Sequence, residues 1–385
     1  MATVLLILAS LSLAAWLYLL LFRGFFWKLD MDLPADANEF AEWPAVVAVV
    51  PARNEAPVIQ RTITSLRSQD YPGEFSIVLI DDSSDDGTAA QARLAAEGEG
   101  HAFHIFPGQA LPTGWTGKLW AMAQGVEHAS VVLRRARYIW FTDADLEHDR
   151  QALRDLVGRA ESRRLDLVST MALLYCAAFW ERMLIPAFIF YFRKLYPFRY
   201  ANSPRHPIAA AAGGSMLVRI EALRRAGGLE AIRGDLIDDC ALARLIKARG
   251  PIRIELTQRS HSIRPHRFAD IWNMVARSAY VQLKYSPIGL LLTIVGMIVI
   301  YMVPVIGLAA GSLTRHFLIA GLGGAAWALM ALAYRPTIRL YRQPGLTALL
   351  LPVAALLYTF MTIDSARRHW QGKGGMWKGR IQSCL

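Results

Sequence analysis

The stretch that decides the fold is Tyr138-Ile139-Trp140-Phe141-Thr142-Asp143-Ala144-Asp145. Its apolar first half has the length and composition of a short buried strand. The two carboxylates follow at the point where a strand of an open α/β sheet gives way to its loop, which is the edge where such sheets bind ligands. Carboxylates there suit a divalent metal that also holds phosphate oxygens. Aspartate is also a common turn residue, so the stretch alone leaves both interpretations open.

The composition favours a membrane protein. The chain has 385 residues, of which 54% are hydrophobic, and its net charge is +11. This combination indicates basic cytoplasmic faces next to apolar spans, and no sequence motif supports the alternative of a nucleic-acid binder. The three cysteines, Cys176, Cys240 and Cys384, form no CxxC pair. They predict unpaired thiols in a reducing compartment.

The N-terminus carries an apolar run, Val4–Phe22, of sufficient length to span a bilayer. No basic residue precedes the run, and aromatic residues stand where a signal-peptide cleavage site needs small ones. We therefore expect a retained transmembrane anchor over residues 1–24. Arg23 and Lys28 follow the run, which predicts that the next part of the chain starts in the cytoplasm.

Three more apolar runs occur near the C-terminus, at Ile288–Gly311, Phe317–Tyr334 and Pro344–Ile363. Basic residues lie both in the loop before the last run and in the tail at 364–385, and both groups favour the cytoplasm. Both cannot be cytoplasmic if all three runs span, so either the tail lies outside or one run is re-entrant or interfacial. We expect a membrane region of two to three spans over 288–363.

Two shorter segments have a possible membrane role. The apolar, aromatic stretch at 183–192 is too short to span easily, so it predicts either an interfacial helix in the headgroups or a buried core helix. A juxtamembrane interfacial segment is expected at 271–287.

Between the anchors, residues 43–270 alternate strand and helix, which predicts a mostly parallel α/β sheet with helices on both faces. No G-x-G-x-x-G follows the first strand, so a dinucleotide-binding fold is not expected. Carboxylates end two strands instead, with Asp81 and Asp82 at one and Asp143 and Asp145 at the other. Carboxylates in these places can accept hydrogen bonds from a nucleotide base and ribose, and they can hold a metal ion that binds a diphosphate.

A third acidic pair, Asp238-Asp239, opens a predicted helix. One of the two is expected to cap that helix, and the other is free to act as a general base, held ionised by the helix dipole. Three acidic clusters in this order suggest displacement of a metal-bound nucleoside diphosphate from a sugar carbon. A single displacement with one base inverts the anomeric centre.

Four motifs stand in a recognisable order: Pro51-Ala52-Arg53-Asn54-Glu55, Asp81 to Thr88, the D-x-D of Phe141 to Asp145, and Ile237-Asp238-Asp239 followed by Leu242 and Arg244. Over roughly residues 45–285 they resemble family 2 glycosyltransferases of the GT-A fold, with Asp in place of Glu in the last motif. The whole layout is similar to the hopene-associated glycosyltransferases of bacterial hopanoid gene clusters. That closer resemblance rests on Leu111–Lys118, the 183–192 stretch and Met274–Tyr280.

The resemblance implies a role for each matching position. The nucleotide sugar is expected to contact Pro51, Arg53, Glu55, Asp81, Asp82, Lys118 and Asp143. Mg²⁺ or Mn²⁺ is expected on Asp145 and Asp143. The catalytic group would consist of Asp239 as base, Asp238 beside it and Arg277 at the diphosphate. The acceptor side would be formed by Gly213, Gly214 and Ser215.

One departure from the family pattern bears on function. Membrane members often carry Q-x-x-R-W, but the corresponding stretch from Met274 to Ser278 contains Arg277 without the Gln or the Trp. This departure disfavours processive polymer synthesis. The basic run Gln258–Phe268 predicts either a loop that closes over the nucleotide or a juxtamembrane run that pairs with lipid headgroups.

We therefore expect a metal-dependent, inverting glycosyltransferase of the hexosyltransferase type, multi-pass in the bacterial inner membrane, with its catalytic domain in the cytoplasm. The donor would be a nucleotide sugar, with UDP-sugars favoured, and the acceptor a lipid such as a hopanoid. No nucleic-acid partner is expected. The alternatives are a processive polysaccharide synthase and a non-catalytic membrane scaffold with the same fold.

Overall fold

The computed structural model describes residues 2–29, 40, 42–372, 376–377 and 380–381. It divides into two compact units. The α/β unit consists of Asp30–Tyr175, Tyr200–Arg264 and Gly375–Leu385. The helical unit consists of Met1–Leu29, Cys176–Arg199 and Pro265–Gly374. Side chains beyond Gly372, which include most of the predicted basic tail and Cys384, lie outside the described residues.

The strands are, in chain order, β1 Val46–Ala52, β2 Phe75–Asp81, β3 Ala102–Pro107, β4 Tyr138–Thr142, β5 Leu146–His148, β6 Leu167–Leu173, β7 Ser215–Arg219, β8 Ile252–Ser262, β9 Met376–Trp377 and β10 Arg380–Ile381. The α-helices are α1 Ala2–Phe22, α2 Ile59–Arg67, α3 Thr88–Leu94, α4 Gly117–Val132, α5 Ala152–Ser162, α6 Phe179–Leu195, α7 Phe198–Ala201, α8 Ile220–Arg225, α9 Asp238–Lys247, α10 Phe268–Gln282, α11 Pro287–Met297, α12 Val303–Leu313, α13 Phe317–Leu340 and α14 Leu351–Trp370.

The α/β unit is built on an eight-stranded sheet in the order β3-β2-β1-β4-β7-β6-β8-β5. The first four strands in that order are parallel, which confirms the predicted α/β fold. β7 enters the middle of the sheet antiparallel to both β4 and β6, and β5 pairs antiparallel with the end of β8. The sheet is therefore mixed, and these two reversals were not predicted.

Both faces of the central strands are buried, as expected for strands whose sequences are continuous apolar runs. Every residue of β1 and β4 is buried. One face packs against α4 and α9, and the other against α2 and α5. The approach of α4 to the sheet is close, because a Cβ added at Gly125 would lie 2.2 Å from Val49 Cγ1. This contact fixes the helix whose first turn carries Lys118.

Among the described residues of the helical unit, four helical segments are long and apolar enough to cross a membrane: Ala2–Phe22, Pro287–Leu313, Phe317–Leu340 and Gly345–Trp370. The second joins α11 to α12 through a π-helical turn at Ile298–Met302. α12 and α13 pack antiparallel through small residues, since a Cβ on Gly311 would lie 2.4 Å from Ala320 N and one on Gly323 would lie 2.5 Å from Leu308 N.

The two ends of the last apolar run contact different helices of this unit. It begins with a 3₁₀ helix, Gly345–Leu350, whose Leu349 O accepts a hydrogen bond of 3.3 Å from Trp327 Nε1, in the middle of α13. At the other end of α14, Ser365 Oγ accepts a 3.0 Å hydrogen bond from Tyr280 N, and Ala366 packs against Leu290 near the start of α11. These contacts place the start of the run beside the middle of α13 and its end beside α10 and the start of α11.

The stretch at 183–192 lies within the longer helix α6. Its Pro186 cannot donate to the carbonyl of Arg182, and Gln343 Nε2 donates to that carbonyl instead at 3.0 Å. One side of α6, including Leu184 and Phe190, is fully buried, whereas Phe179 at its start is 69% exposed. The helix is thus packed in the helical unit along one side and open at its N-terminal end.

Candidate active site

The loops after β1 and β2 hold each other in place. Arg53 donates to the backbone carbonyl of Asp82, and its Nη1 lies 3.6 Å from the Asp82 carboxylate, which is almost fully buried. The backbone N–H of Glu55 donates to Thr88 Oγ1 at 2.8 Å. Asn54 and Ser83 have left-handed backbone conformations, with φ of 52° and 54°. Conformations of this kind are uncommon outside glycine and mark loops held by their surroundings.

The order of these loops places the predicted nucleotide-contacting residues at one sheet edge. Pro51 lies on β1 opposite Ile80, and Ala52 pairs with Asp81, the last residue of β2. Asp85 N donates to Asn54 Oδ1 at 3.1 Å, which ties the second loop to the first. The predicted convergence of these residues is therefore present within the α/β unit.

Lys118 joins the second and third acidic clusters. Its Nζ lies 2.8 Å from Asp143 Oδ1 and 3.4 Å from Asp238 Oδ2. Burial by itself would lower the pKa of Lys118, but the carboxylates of Asp143 and Asp238 raise it above its ordinary value. The amine therefore stays charged and neutralises carboxylates that come from two distant parts of the chain.

Asp239 lies on the other side of the same cluster. Its Oδ2 accepts a 2.9 Å hydrogen bond from Gly213 N, and its Oδ1 accepts one of 2.7 Å from Cys240 N. Burial and the neighbouring carboxylate of Asp238 raise the pKa of Asp239 to about 6. A carboxylate with this pKa is ionised near neutral pH and is a stronger base than an ordinary aspartate, which suits proton transfer.

The expectation that one member of this acidic pair caps α9 is wrong. The helix begins at Asp238, and the residue before it, Ile237, makes no side-chain cap hydrogen bond. The two carboxylates are used instead for Lys118 and for Gly213 N.

Glycines allow β7 to begin inside this cluster. A Cβ at Gly213 would lie 3.3 Å from Lys118 Nζ and 3.4 Å from Asp239 Oδ2, and one at Gly214 would lie 2.9 Å from Leu146 Cδ1. Ser215 follows on β7, but its side chain is fully buried and accepts a hydrogen bond of 3.0 Å from Trp140 Nε1. Its hydroxyl therefore packs in the sheet, and only the glycine backbone borders the cluster.

Arg264 belongs to the basic run that the sequence placed either over the nucleotide or against lipid, but it was not singled out there as a site residue. Its Nε lies 3.0 Å from Asp145 Oδ2, and its Nη2 forms an ion pair with the buried carboxylate of Glu55. The basic run Gln258–Phe268 was expected to be a loop or a lipid-facing segment, but β8 continues to Ser262. Ile263 N then donates to Asp145 O at 3.0 Å, which brings the next side chain to the D-x-D.

The buried side chain of His148 links the two strands on either side of the D-x-D turn. His148 Nε2 lies 2.8 Å from Thr142 Oγ1, and its Nδ1 lies 2.7 Å from Ser260 Oγ. Burial, with a smaller contribution from His261, lowers the pKa of His148 to about 3, so the ring is neutral. It connects the last residue of β4 to β8 across the turn that contains Asp143 and Asp145.

The acidic residues fit a divalent metal only if a ligand completes its coordination. Asp143 and Asp145 offer hard oxygen atoms on partly exposed side chains, 36% and 25% exposed. Within the described part of the chain, no group of three or more His, Cys, Asp or Glu residues is arranged to hold a metal. Mg²⁺ sites often use one or two carboxylates together with substrate phosphates, so the donor set suits such a site.

Arg277, predicted at the diphosphate, lies on α10 in the helical unit. The other predicted site residues lie in the α/β unit.

Comparisons with known proteins gave a family match for the central part of the chain. The family model "Glycosyl transferase family 2" matches residues 47–227. A dodecaprenyl-phosphate galacturonate synthase of Rhizobium johnstonii is 33% identical over 124 residues, which span 31% of this chain and 33% of the relative. The mannosyltransferase PcManGT from Pyrobaculum calidifontis, solved in complex with GDP-Man and Mn²⁺, is 20% identical with a TM-score of 0.51, covering 95% of this chain and 99% of that one.

The matched region runs from β1 to the end of α8 and includes Lys118, the D-x-D and the paired glycines, but it stops before Asp238 and Arg264. The structural likeness confirms the predicted GT-A fold. The part of this chain that resembles glycosyl transferase family 2 is therefore residues 47–227.

Proposed function

We propose that this protein transfers a sugar from a nucleotide-diphosphate donor to a lipid acceptor with inversion at the anomeric carbon. One observation carries the proposal. The D-x-D and the Asp238–Asp239 pair, almost a hundred residues apart, meet at Lys118, and Asp239 there has the pKa of a general base.

In the proposed reaction, the ionised carboxylate of Asp239 takes the proton of the acceptor hydroxyl. The oxygen attacks the anomeric carbon while the bond from that carbon to the diphosphate oxygen breaks, so the nucleoside diphosphate leaves with the electron pair. Attack from the face opposite the leaving group inverts the centre. The charged amine of Lys118 holds Asp143 and Asp238 in place and offsets the repulsion between their carboxylates.

The nucleotide would lie against the paired loops after β1 and β2, where Arg53 fixes Asp82. Asp145, with Asp143, would hold Mg²⁺ or Mn²⁺. When bound, such a metal neutralises the charge that develops on the diphosphate. Because Asp145 already pairs with Arg264, a metal there would share this carboxylate with a guanidinium group.

A lipid acceptor is supported by two observations. The described residues include four helical segments of membrane-spanning length and composition, and the Rhizobium relative is named for dodecaprenyl phosphate. The resemblance to hopene-associated enzymes favours a hopanoid, and the relative favours a polyprenyl phosphate. A UDP-sugar is the proposed donor. The missing Gln and Trp around Arg277 favour a single transfer over processive synthesis.

We further propose that the protein is a multi-pass protein of the bacterial inner membrane with the α/β unit in the cytoplasm. The proposed spans are α1, α11 with α12, and α13. The last run, 345–370, enters beside the middle of α13 and returns to the start of α11. This arrangement keeps the basic ends of α1, α13 and α14 on one side, as the positive-inside rule requires.

The test is transfer by the purified full chain in lipid nanodiscs. A panel of labelled nucleotide sugars is supplied with lipid extract, and labelled lipid is detected by mass spectrometry. Wild type should label one lipid class with one sugar per molecule, and Asp239→Asn should abolish labelling while it still binds donor. Normal turnover by Asp239→Asn would contradict the proposal. So would a wild type that neither transfers nor hydrolyses any nucleotide sugar.

A further inference from the structure

The net positive charge of the chain comes from the helical unit. This unit contains 16 Lys and Arg residues and only 3 Asp and Glu residues, whereas the α/β unit contains 26 and 28. The net charge of +11 thus comes entirely from the helical unit. Its three carboxylates are engaged elsewhere: Glu181 accepts from Ala177 N and His266 N, Asp270 from Arg267 N, and Asp364 binds Arg367 and Arg368.

Several cations meet where the end of α6 packs beside the segment after α1. We call Arg23, Lys28, Arg193, Lys194 and Arg199 the Lys194 cluster. Arg23 donates to the backbone carbonyls of Lys194 and Leu195 at 3.2 and 3.1 Å. Arg193 donates to Lys28 O, and the Arg199 guanidinium lies 5.4 Å from the ring centroid of Phe25. These contacts gather positive side chains against carbonyls and rings.

Lys194 is a partly buried member of the cluster whose amine lies against two tyrosine rings. Its Nζ donates to Tyr301 OH at 2.8 Å and lies 5.2 and 4.9 Å from the ring centroids of Tyr191 and Tyr301. Burial and the nearby charge of Arg23 lower the pKa of Lys194 to about 8. An ammonium group has three N–H donors, and the tyrosine hydroxyl accepts one.

The helix dipole and the positive-inside rule account for cations at the end of α6 that remain in water. They do not account for Lys194, because an exposed lysine would serve both effects without loss of hydration. A partly desolvated ammonium among other cations is stabilised by an anion. At the end of a helix that is packed among apolar helices, the abundant anion is a lipid phosphate.

We propose that the Lys194 cluster binds the phosphate group of a lipid. The ligand is either a membrane phospholipid or a lipid acceptor that carries a phosphate, and the two share the same recognition chemistry. The proposal rests on the proposed function only in placing the helical unit in a membrane.

The test measures lipid binding by the full chain in detergent with native mass spectrometry. The probes are phosphatidylglycerol, a polyprenyl phosphate and the matching polyprenol, which lacks the phosphate. Wild type should bind at least one phosphate lipid and bind the polyprenol much more weakly. Lys194→Met should weaken phosphate-lipid binding by about ten-fold or more, the loss expected for a charge-assisted hydrogen bond, and Lys194→Arg should retain most of it.

The matched control is Arg339→Gln, which removes an exposed basic residue from the end of α13. It should bind like wild type. Preference for the polyprenyl phosphate would identify an acceptor phosphate, and equal or better binding of phosphatidylglycerol would identify a structural phospholipid. Equal binding of polyprenol and polyprenyl phosphate, or unchanged binding by Lys194→Met with an unaltered melting temperature, would overturn the proposal. Nucleotide-sugar hydrolysis, measured in parallel, reports on the proposed function separately.

Discussion

Replacing Lys118 by methionine tests the electrostatics of the proposed site. The substitution keeps most of the side-chain length and removes the charge that neutralises Asp143 and Asp238. Lys118 also lowers the pKa of Asp239, against the larger effects of burial and Asp238 that raise it to about 6. Without the ammonium group, the pKa of Asp239 should rise further, so the base would become ionised only at higher pH.

The size of this shift follows from the geometry. A Cβ at Gly213 would lie 3.3 Å from Lys118 Nζ and 3.4 Å from Asp239 Oδ2, so the two charged atoms are at most about 6.7 Å apart. At an effective dielectric constant of about 20, their attraction is about 2.5 kcal/mol, which corresponds to nearly two pKa units. Because the Lys118 side chain is 20% exposed, solvent screening reduces this, and we expect a shift of about one unit.

The assay is the pH dependence of kcat/KM for sugar transfer, which reports the pKa of the free enzyme. In wild type, activity should rise with pH through about 6, and in Lys118→Met the rise should move to about 7. Lys118→Arg keeps the charge and should keep the wild-type midpoint. If Lys118→Met lowers kcat/KM equally at every pH, the coupling between Lys118 and Asp239 that we infer is refuted, and Lys118 would serve only in donor binding.

Four further outcomes follow from the structure. Asp239→Asn should abolish transfer on both sides of pH 6, while donor affinity measured by calorimetry stays within about two-fold, since the group is proposed to act on the acceptor. Arg264→Gln should strengthen Mn²⁺ binding, measured with a nucleoside diphosphate present to complete the coordination, roughly five-fold, from the ~1 kcal/mol of a partly exposed ion pair, whereas Arg61→Gln, which breaks a nearby exposed pair, should not. Gly125→Ala should lower the melting temperature, because its methyl group would overlap the neighbouring valine of β1 at a cost of about 1–3 kcal/mol; Gly321→Ala, in open space, should not. A reporter fused after the last residue should be active in the cytoplasm, and an external reporter signal would exclude the re-entrant arrangement.

Features encoded locally were predictable from the sequence. β4 is a short apolar run that ends in two carboxylates, and the structure has strand and carboxylates in those places. The start of α9 at Asp238 was also predictable, because amphipathic spacing depends on neighbours along the chain.

Features that depend on pairing between distant strands were not predictable. Arg264 reaches Asp145 only because β8 pairs with β5 and carries the chain back past the D-x-D. Nothing in the spacing from Asp145 to Arg264 signals that return. The same holds for His148, whose partners come from β4 and β8. Register between strands is set by packing across the sheet, which one sequence does not display.

The charges of the site bear on how it could admit an anionic donor. Asp143, Asp145, Asp238 and Asp239 face only two neighbouring cations among their described contacts, Lys118 and Arg264, and Arg264 is shared with Glu55. A diphosphate that arrived alone would therefore meet an excess of negative charge. Either an accompanying divalent cation or release of Arg264 from its carboxylates is needed to reverse that repulsion. Donor binding should therefore respond to chelator and to Arg264→Gln, and a donor affinity indifferent to both would contradict the placement of the diphosphate at the D-x-D.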